Sequence, residues 1–342
     1  MKVWIVTARF GQGHFSAAKA IEEEYKARGY EVIVSDIMEL LYPFFSSWIY
    51  GVFNHIICRH AAIYNFLNEF GRNPKKERNQ SQRVQKAFKE IQPDVIITTW
   101  SACARMLGPL QVPIYVCITD LGVHTGWIAP HVQGYFAATQ DIAQKLIQMG
   151  VAKEKIHIHG IPVKKVFREI NHKPKSSNKI LIMGGGLGIL PWVDELLDEL
   201  REYPQIKITV IAGNNRRLYR KLERKYPFVT VLGFTNEVSR YLAESDLLVS
   251  KPGGVSLFES IYAETPCVAV YPSYKHELDN AEFIQKQGIG AVVRSGESAG
   301  ACVVNLLKDS DVSQKYQLNI KKIKQELQAQ QGKEQYVIEH AI

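Results

Sequence analysis

The chain has 342 residues, 46% hydrophobic and 22% charged, and its 42 Lys and Arg against 34 Asp and Glu give a formal net charge of +8. This composition excludes disordered and fibrous proteins, and the length suits two domains of roughly 100 to 200 residues each. The positive charge favours an anionic partner such as lipid headgroups, nucleic acid or a phosphorylated ligand, although solubility alone would also account for it.

The five cysteines are scattered and show neither CxxC spacing nor a Cys/His ligand pattern. We therefore expect buried thiols in a reducing cytoplasm, without a disulfide framework or a zinc site. The first apolar run reaches a glycine turn after the length of one strand, so no signal peptide is predicted. No later apolar run approaches the roughly 20 residues of a spanning helix, and we expect any membrane contact to be peripheral.

Strand-like and helix-like runs alternate from the start of the chain. Residues 3–7 form an apolar run, a helical stretch follows a glycine turn at 16–28, and a second apolar run occupies 31–34. This βαβ pattern predicts a parallel sheet, whose functional loops lie at the carboxyl ends of the strands. Further strands are predicted at 95–99, 114–119 and 134–138.

The alternation begins again after a polar stretch at 169–178. Residues 179–183 lead into a glycine loop, and a helix is predicted at 191–203. Additional strands are predicted at 207–212, 230–232, 247–250, 267–271 and 291–293. We therefore expect two Rossmann-like α/β domains, 1–165 and 166–342, the second ending in a helical tail rich in Lys, Gln and Glu.

The first glycine turn contains Gly11, Gln12, Gly13 and His14. Glycines there let a ligand approach the backbone, and a helix N-terminus offers N–H groups to an anion. Position 16 is Ser, so the dinucleotide fingerprint is incomplete, which weakens an NAD site with Asp36 on the ribose. His14 is a candidate base because imidazole titrates near neutral pH; the alternative is a histidine that caps the helix or faces solvent.

A second polar loop follows the strand predicted at 114–119. Asp120 and His124 lie in this loop, and Trp127 comes shortly afterwards. The carboxyl ends of parallel strands share one edge of a sheet, so Asp120 could orient His14 or His124, or it could cap the next segment. The sequence leaves these three alternatives open.

Two loops of the second half have the composition of phosphate-binding loops. They contain glycines and a hydroxyl residue between a strand and a helix, namely Gly184, Gly185, Gly186, Gly253, Gly254 and Ser256. Backbone N–H groups in such loops bind phosphate oxygens. Glu259 follows one turn into the second helix, where a carboxylate could accept both hydroxyls of a ribose.

A third polar cluster follows the strand predicted at 267–271. It contains His276, Glu277, Asp279 and Asn280. These side chains could bind several sugar hydroxyls, and the plainer alternative is a solvated loop followed by a helix cap. The position of the cluster after the phosphate loop favours sugar binding.

At these motifs the chain resembles the diacylglycerol glycosyltransferases, which include bacterial processive diacylglycerol β-glucosyltransferases and plant monogalactosyldiacylglycerol synthases. They are related to the peptidoglycan lipid-linked N-acetylglucosaminyltransferase. The resemblance runs through TARFGQGH, TDLGVHTGW, HGIPV, GGG, LGFTNEV, SKPGGVSLFES and HELDNAEF. It implies the GT-B fold, with two facing Rossmann-like domains, acceptor lipid on the first and UDP-sugar on the second, and inversion at the anomeric carbon.

The resemblance, together with the loop positions described above, assigns expected roles to individual residues. The catalytic residues would be His14, as base or acceptor-positioning group, and Asp120. The acceptor-binding residues would be Gly11, Gly13, His124 and Trp127. The donor-binding residues would be Gly184, Gly185, Gly186, Phe234 in the uracil pocket, Lys251, Gly253, Gly254, Ser256, Glu259, Glu277, Asp279 and Asn280. His276 stands where the family commonly has Gln, so glucose and galactose both remain open as donor sugars.

The implied reaction is attack by a lipid hydroxyl on the anomeric carbon, with His14 accepting the proton and with loop amides and positive charge stabilising the departing UDP. No metal ion or other cofactor is expected, and the acidic pair Asp309 and Asp311 is interpreted as surface. The expected partners are a UDP-sugar, diacylglycerol or a related lipid, and an anionic membrane surface, but no nucleic acid.

Residues 40–70 are rich in aromatic and apolar side chains, and a basic flank follows at Arg72, Lys75, Lys76 and Arg78. An interfacial amphipathic segment of this kind would bind the inner face of the cell membrane and admit a two-chain lipid, whereas the alternative is a pair of core helices. Other functions remain open: transfer to another lipid or a soluble acceptor, a UDP-sugar epimerase, and a non-catalytic membrane regulator that responds to nucleotide sugars.

Overall fold

The computed structural model describes residues 1–10, 12–57, 74–170, 178–272 and 274–330, and the side chains of 53–57 and 74–81 are also outside the description. The chain contains two compact units, one with Met1–Lys165 together with Ala329 and Gln330, and one with Val166–Gln328. Each unit is built on its own six-stranded sheet. The predicted α/β class with two Rossmann-like sheets is confirmed.

The first sheet consists of β1 Lys2–Thr7, β2 Glu31–Asp36, β3 Val95–Thr98, β4 Ile114–Cys117, β5 Gly134–Ala137 and β6 Ile156–Ile158. These strands lie in the order β2-β1-β3-β4-β5-β6, and all neighbours are parallel. The α-helices described in this unit are Gly13–Ala27, Ile37–Leu41, Ser46–Ile57, Pro74–Ile91, Ser101–Leu107 and Gln140–Gln148. Two 3-10 turns, Thr125–Trp127 and Lys153–Lys155, complete the unit.

The second sheet consists of β7 Lys179–Met183, β8 Lys207–Ile211, β9 Val229–Leu232, β10 Leu247–Ser250, β11 Cys267–Val270 and β12 Gly290–Val293. Read from β9, the order β9-β8-β7-β10-β11-β12 is the 3-2-1-4-5-6 arrangement of dinucleotide-binding domains. The helices are Lys165–Arg168 at the boundary, then Val193–Leu200, Arg216–Lys225, Val238–Glu244, Gly254–Tyr262, Lys275–Gln287, Ala299–Lys308 and Ser310–Gln330.

Both sheets are covered on two faces, which explains why their central strands read as continuous apolar runs. Ile5 pairs with Val34 on one side and Ile97 on the other, and Ile5 and Ile97 are buried. In the second unit, the helix Val193–Leu200 buries Val193, Leu196, Leu197 and Leu200, a helical spacing that places all four on the sheet side.

The first helix begins at Gly13 rather than at the predicted residue 16. Gln12 adopts the left-handed conformation, with φ of 69°, and its carbonyl accepts the N–H of Ser16 at 2.9 Å. His14 therefore lies in the first turn of the helix and not in the loop before it. Strand β6, Ile156–Ile158, was not predicted because it is a three-residue edge strand with a histidine at its centre.

Each sheet has a point at which successive strands are added on opposite sides. This switch point lies between β1 and β3 in the first sheet, and between β7 and β10 in the second. Ligands of open α/β sheets bind outside the carboxyl ends of the strands at such points. The glycine loops that the sequence identified follow β1, β7 and β10, so they occur at the two switch points.

Gly188 in the loop after β7 offers a test of the fold. It adopts φ of 62°, and a Cβ there would lie 1.8 Å from the carbonyl oxygen of Ala212. Gly188→Ala should therefore lower the free energy of unfolding by about 2 kcal/mol or more. Gly253→Ala is the matched control, because among the residues that the structure describes a Cβ at Gly253 would meet only Ser256 Oγ, at 4.0 Å. Denaturant unfolding measures both, and equal midpoints for the two variants would contradict the expectation.

Candidate functional site

Buried threonines connect the carboxyl ends of neighbouring strands in the first unit. Thr7 ends β1, and Thr99 directly follows β3; neither side chain is exposed to solvent. Thr99 Oγ1 lies 2.7 Å from Thr7 Oγ1 and 2.9 Å from the carbonyl oxygen of His14. The backbone of the first helical turn is thereby attached to both strands of the switch point.

Nδ1 of His14 is fixed by a threonine hydroxyl. Nδ1 lies 2.7 Å from Oγ1 of Thr119, which is 3% exposed and follows β4. The ring of His14 also packs edge-on against Trp127, with centroids 6.4 Å apart. Thr119 Oγ1 is 3.5 Å from the carbonyl oxygen of Thr99. When the Thr119 hydroxyl points to that carbonyl, Nδ1–H donates to Thr119 and Nε2 carries the lone pair that a base requires.

Asp120 was a candidate to orient His14 or His124, or to cap the next segment. The structure brings Thr119, rather than Asp120, to the ring of His14. His124 is exposed, and its Nδ1 accepts the N–H of Gly126 at 3.1 Å, which begins the turn Thr125–Trp127. Asp120 itself is half-buried. Its catalytic role stays a prediction.

Trp127 is 2% exposed and packs between the two histidines, with its ring centroid 6.2 Å from that of His124. The indole therefore supports both imidazoles, while its predicted contact with the acceptor stays a prediction. A Cβ at Gly13 would meet no atom of the described residues within 4 Å, so the first helical turn borders space that suits an acceptor. Gly11 lies outside the described residues.

Asp36 does not fit a nucleotide ribose. It is 5% exposed and accepts hydrogen bonds from Tyr50 Oη at 2.6 Å, Arg9 Nε at 2.8 Å, and the amides of Met38 at 2.8 Å and Glu39 at 3.3 Å. A carboxylate offers about four lone-pair positions, and these partners use them. The pKa of Tyr50 is raised, first because burial disfavours the charged phenolate and then because its hydroxyl is hydrogen-bonded to Asp36. Asp36 is therefore not available to bind the ribose of NAD.

In the second unit, the two strands of the switch point are connected by a side chain. Ser250 Oγ at the end of β10 donates to the carbonyl of Met183 at the end of β7, at 2.8 Å. The glycines beyond them fall into two classes. A Cβ at Gly184 would lie 2.5 Å from the Ile189 backbone, so this glycine is required by the loop. Within the described part of the chain, a Cβ at Gly185 or Gly253 would meet no atom closer than 4.0 Å. The open glycines are the ones that a phosphate could approach.

The helix Gly254–Tyr262 presents the second half of the predicted donor site. Gly253 precedes it without a side-chain cap. Ser256 and Glu259 are half-buried, whereas Val255, Leu257 and Phe258 are buried. Residues three apart share a helix face. The hydroxyl and the carboxylate therefore lie on one face, in the order expected for diphosphate and ribose.

The cluster predicted to bind sugar is more buried than an open loop would be. Glu277 is 4% exposed and Asn280 is fully buried. Asn280 Nδ2 donates to the Pro252 carbonyl at 2.8 Å, and Lys251 Nζ lies 3.6 Å from Glu277 Oε1. These contacts hold the loop that contains Gly253 and Gly254. The sequence did not reveal this role, because the partners are separated by some 25 residues and no local spacing connects them.

Helix capping, the plainer alternative for this cluster, is also present. The Tyr274 N–H donates to Glu277 Oε2 at 3.4 Å, so Glu277 contributes to the start of the helix Lys275–Gln287. His276 stacks on Tyr274 with ring centroids 5.7 Å apart. Asp279 is half-buried, and Phe234, two residues after β9, is 64% exposed. An exposed aromatic ring of this kind is available to stack on a uracil base.

Among the described residues, no group of three or more His, Cys, Asp or Glu side chains is arranged to hold a metal ion. Asp309 Oδ1 accepts the N–H groups of Asp311 at 3.2 Å and Val312 at 3.0 Å, so it caps the start of the C-terminal helix. Both acidic side chains are exposed. That the reaction needs no cofactor stays a prediction.

An exposed aromatic patch, which we define as Phe44, Phe45 and Trp48, lies in the segment predicted to contact a membrane. These side chains are 92%, 64% and 68% exposed. Such exposure shows that these three side chains do not belong to a pair of core helices. Residues 58–73, with Arg72 of the basic flank, lie outside the described residues, as do the side chains of Lys75, Lys76 and Arg78. No helix in the described part of the chain is both long and apolar enough to cross a membrane.

Two family models match this chain. Residues 14–163 match the family model for monogalactosyldiacylglycerol (MGDG) synthase, and residues 179–336 match the glycosyltransferase family 28 C-terminal domain. A processive diacylglycerol beta-glucosyltransferase from Staphylococcus carnosus (strain TM300) is 27% identical over an alignment 345 residues long, gaps included. The alignment covers 91% of this chain and 85% of the relative.

Solved structures share the fold. The glycotransferase of kitacinnamycin superposes with a TM-score of 0.70 at 15% identity, covering 99% of this chain and 98% of that one. MurG from Acinetobacter baumannii superposes with a TM-score of 0.63 at 14% identity, covering 94% and 95%. The fold is therefore that of the GT-B glycosyltransferases, and the two matched models make the first part of the chain similar to monogalactosyldiacylglycerol synthases and the second part similar to family 28 glycosyltransferases.

Proposed function

We propose that the protein transfers a hexose from a UDP-sugar to diacylglycerol, with inversion at the anomeric carbon, and so makes a membrane glycolipid. The observation that carries this proposal is His14 held at Nδ1 by Thr119, 2.7 Å away, beside open space at Gly13. An oriented imidazole at a switch point suits deprotonation of an acceptor hydroxyl. The name of the Staphylococcus carnosus relative supports diacylglycerol as acceptor and favours glucose over galactose as donor sugar.

The acceptor hydroxyl attacks the anomeric carbon in a single displacement. A new carbon–oxygen bond forms, the bond to the β-phosphate oxygen breaks, and its electron pair leaves with UDP. The proton of the hydroxyl moves to Nε2 of His14, while Nδ1–H remains bonded to Thr119. General-base assistance of this kind contributes about 10²- to 10⁴-fold to a rate.

The donor occupies the loops of the second unit in this account. Phe234 stacks on uracil, Glu259 accepts the ribose hydroxyls, and the diphosphate contacts the backbone N–H groups of Gly253, Gly254 and Ser256. Open space at Gly253 and Gly185 supports this assignment. Asp279 is then the residue of the polar cluster that faces the sugar, since Glu277 and Asn280 are buried against the loop. Lys251 and the loop amides stabilise the charge that develops on UDP.

Peripheral attachment to the inner face of the cell membrane follows from a lipid acceptor. The exposed aromatic patch supports it, because Trp and Phe side chains favour the boundary between headgroups and acyl chains. Transfer to a different lipid or a soluble acceptor, epimerisation of a UDP-sugar and non-catalytic sensing remain the alternatives, and each predicts a different product.

Product analysis tests the proposal directly. The purified protein is incubated with diacylglycerol vesicles and with radiolabelled UDP-glucose or UDP-galactose in separate reactions, and the lipids are separated by thin-layer chromatography. We expect a labelled glycolipid with one of the two donors. Label that stays in the nucleotide fraction as a changed sugar would indicate an epimerase. UDP binding without any labelled lipid would contradict diacylglycerol as acceptor.

Thr119 provides a second test. Thr119→Val keeps the shape of the side chain but removes the oxygen that holds Nδ1 of His14, so we expect kcat to fall about tenfold with little change in KM for the donor. Thr119→Ser is the matched control and should retain most of the activity, because the hydroxyl remains. Steady-state kinetics of both variants decide the point. Equal losses in the two variants would contradict the positioning role and indicate a packing effect.

A further inference from the structure

Positive charge is concentrated in one helix of the second unit. The helix Arg216–Lys225 contains six basic residues and one acidic residue in a sequence of ten, RRLYRKLERK. It therefore contributes five of the eight net positive charges of the chain, and the other 332 residues together contribute three. General solubility would not require such concentration, because charges that only keep a protein soluble are spread over its surface.

The arginines of this helix lie on one face. Successive residues of an α-helix are rotated by about 100°, so positions 216, 217, 220 and 224 fall within an arc of about 100°. Leu222, which is fully buried, points to the opposite side. We name the four exposed side chains on the outer arc the arginine face: Arg216, Arg217, Arg220 and Arg224.

The lysines of the same helix are neutralised by the protein itself. Lys221 forms an ion pair with Asp194, and Lys225 lies 3.1 Å from Asp198, both on the helix Val193–Leu200. Glu223, the one acidic residue of the basic helix, is engaged by Tyr219 Oη at 2.8 Å. Within the part of the chain that the structure describes, no ion pair or side-chain hydrogen bond involves the arginine face. Its charge is therefore available to an external anion.

We propose that the arginine face docks the second unit on anionic phospholipid headgroups. This inference rests on the proposed function, because a lipid acceptor requires the protein to work at a membrane surface. Guanidinium groups suit phosphate because they donate two parallel hydrogen bonds. The face extends about 12 Å along the helix, enough to contact more than one headgroup. Phe228 follows the helix and is 42% exposed. The guanidinium of Arg201 lies over its ring, with 6.0 Å between Arg201 Cζ and the ring centroid.

The contact differs from the one expected at the exposed aromatic patch. That patch belongs to the first unit and offers apolar side chains, whereas the arginine face belongs to the second unit and offers charge. Electrostatic docking weakens as salt screens the charges, with a Debye length of about 8 Å at physiological ionic strength. Insertion of apolar side chains lacks this dependence, so the two contributions are separable by salt.

The test uses the full-length protein and two kinds of sucrose-loaded vesicle. One contains phosphatidylcholine alone, and in the other about one lipid in three is phosphatidylglycerol. Bound and free protein are separated by sedimentation at several salt concentrations. Replacing Arg217, Arg220 and Arg224 together by Ala should weaken binding to the anionic vesicles on the order of 100-fold, since each basic residue near such a surface contributes about fivefold. The matched control replaces three exposed lysines of the same unit by Ala: Lys207, Lys315 and Lys322.

The control carries the same net charge as the arginine variant, so a specific docking face requires the arginine variant to lose far more binding than the control. Equal losses in both, or no binding of the wild-type protein to anionic vesicles, would overturn the proposal. A DNA duplex that displaces the protein from the vesicles at physiological salt would also overturn it in favour of nucleic acid.

The binding test does not depend on turnover. The arginine variant should glycosylate diacylglycerol in nonionic micelles at the wild-type rate. Failure of the proposed function is therefore distinguishable from failure of the docking face.

Discussion

The 2.7 Å contact between Nδ1 of His14 and Oγ1 of Thr119 connects two parts of the first unit that are 105 residues apart in sequence. One belongs to the helix after β1 and the other to the loop after β4, so the contact forms only when the strands take their places in the sheet. Because Thr99 also holds the carbonyl of His14, both the backbone and the ring of this residue are fixed by buried threonines. A hydroxyl orients the imidazole without adding a negative charge beside it.

The second unit solves a similar problem with different groups. Its glycine loops need conformational freedom for a ligand to approach, yet they need fixed ends if the N–H groups are to be ready for a diphosphate. Ser250 fastens the end of β10 to the end of β7, and the buried amide of Asn280 holds Pro252 from the following helix. Polar residues buried around an open loop thus supply the rigidity that the glycines themselves lack.

The sequence predicts the fold well, and it locates the loops at both switch points, which contain the two candidate half-sites, because those features depend on local patterns. Apolar runs alternate with helical stretches, and glycines mark the turns after β1, β7 and β10. The contacts within each half-site were not predictable in the same way. Asp120 was one candidate to orient His14, but Thr119, one residue earlier, is the residue whose hydroxyl contacts the ring. Both residues lie in the loop after β4, where neither strand nor helix periodicity fixes the direction of a side chain.

Burial was equally hidden from sequence reasoning. Glu277 and Asn280 read as exposed polar residues, yet the helix Lys275–Gln287 turns both toward the core and toward the loop of Pro252. Asp36 read as a possible ribose ligand, and its four hydrogen-bond positions are filled by residues on three different elements. In each case the deciding partners are distant in sequence. The clustering of arginines on one helix face, by contrast, follows from spacing alone once the helix is known.

We infer that the first unit activates the acceptor and the second unit holds the donor. Calorimetric titration of UDP into the wild-type protein and the His14→Ala variant, paired with the transfer rate of each, separates the two roles. We expect the variant to bind UDP with wild-type affinity while its rate of transfer falls by at least about 100-fold. A variant that transfers sugar at the wild-type rate, or one whose affinity for UDP falls in parallel with its activity, would contradict the assignment of His14 as the base.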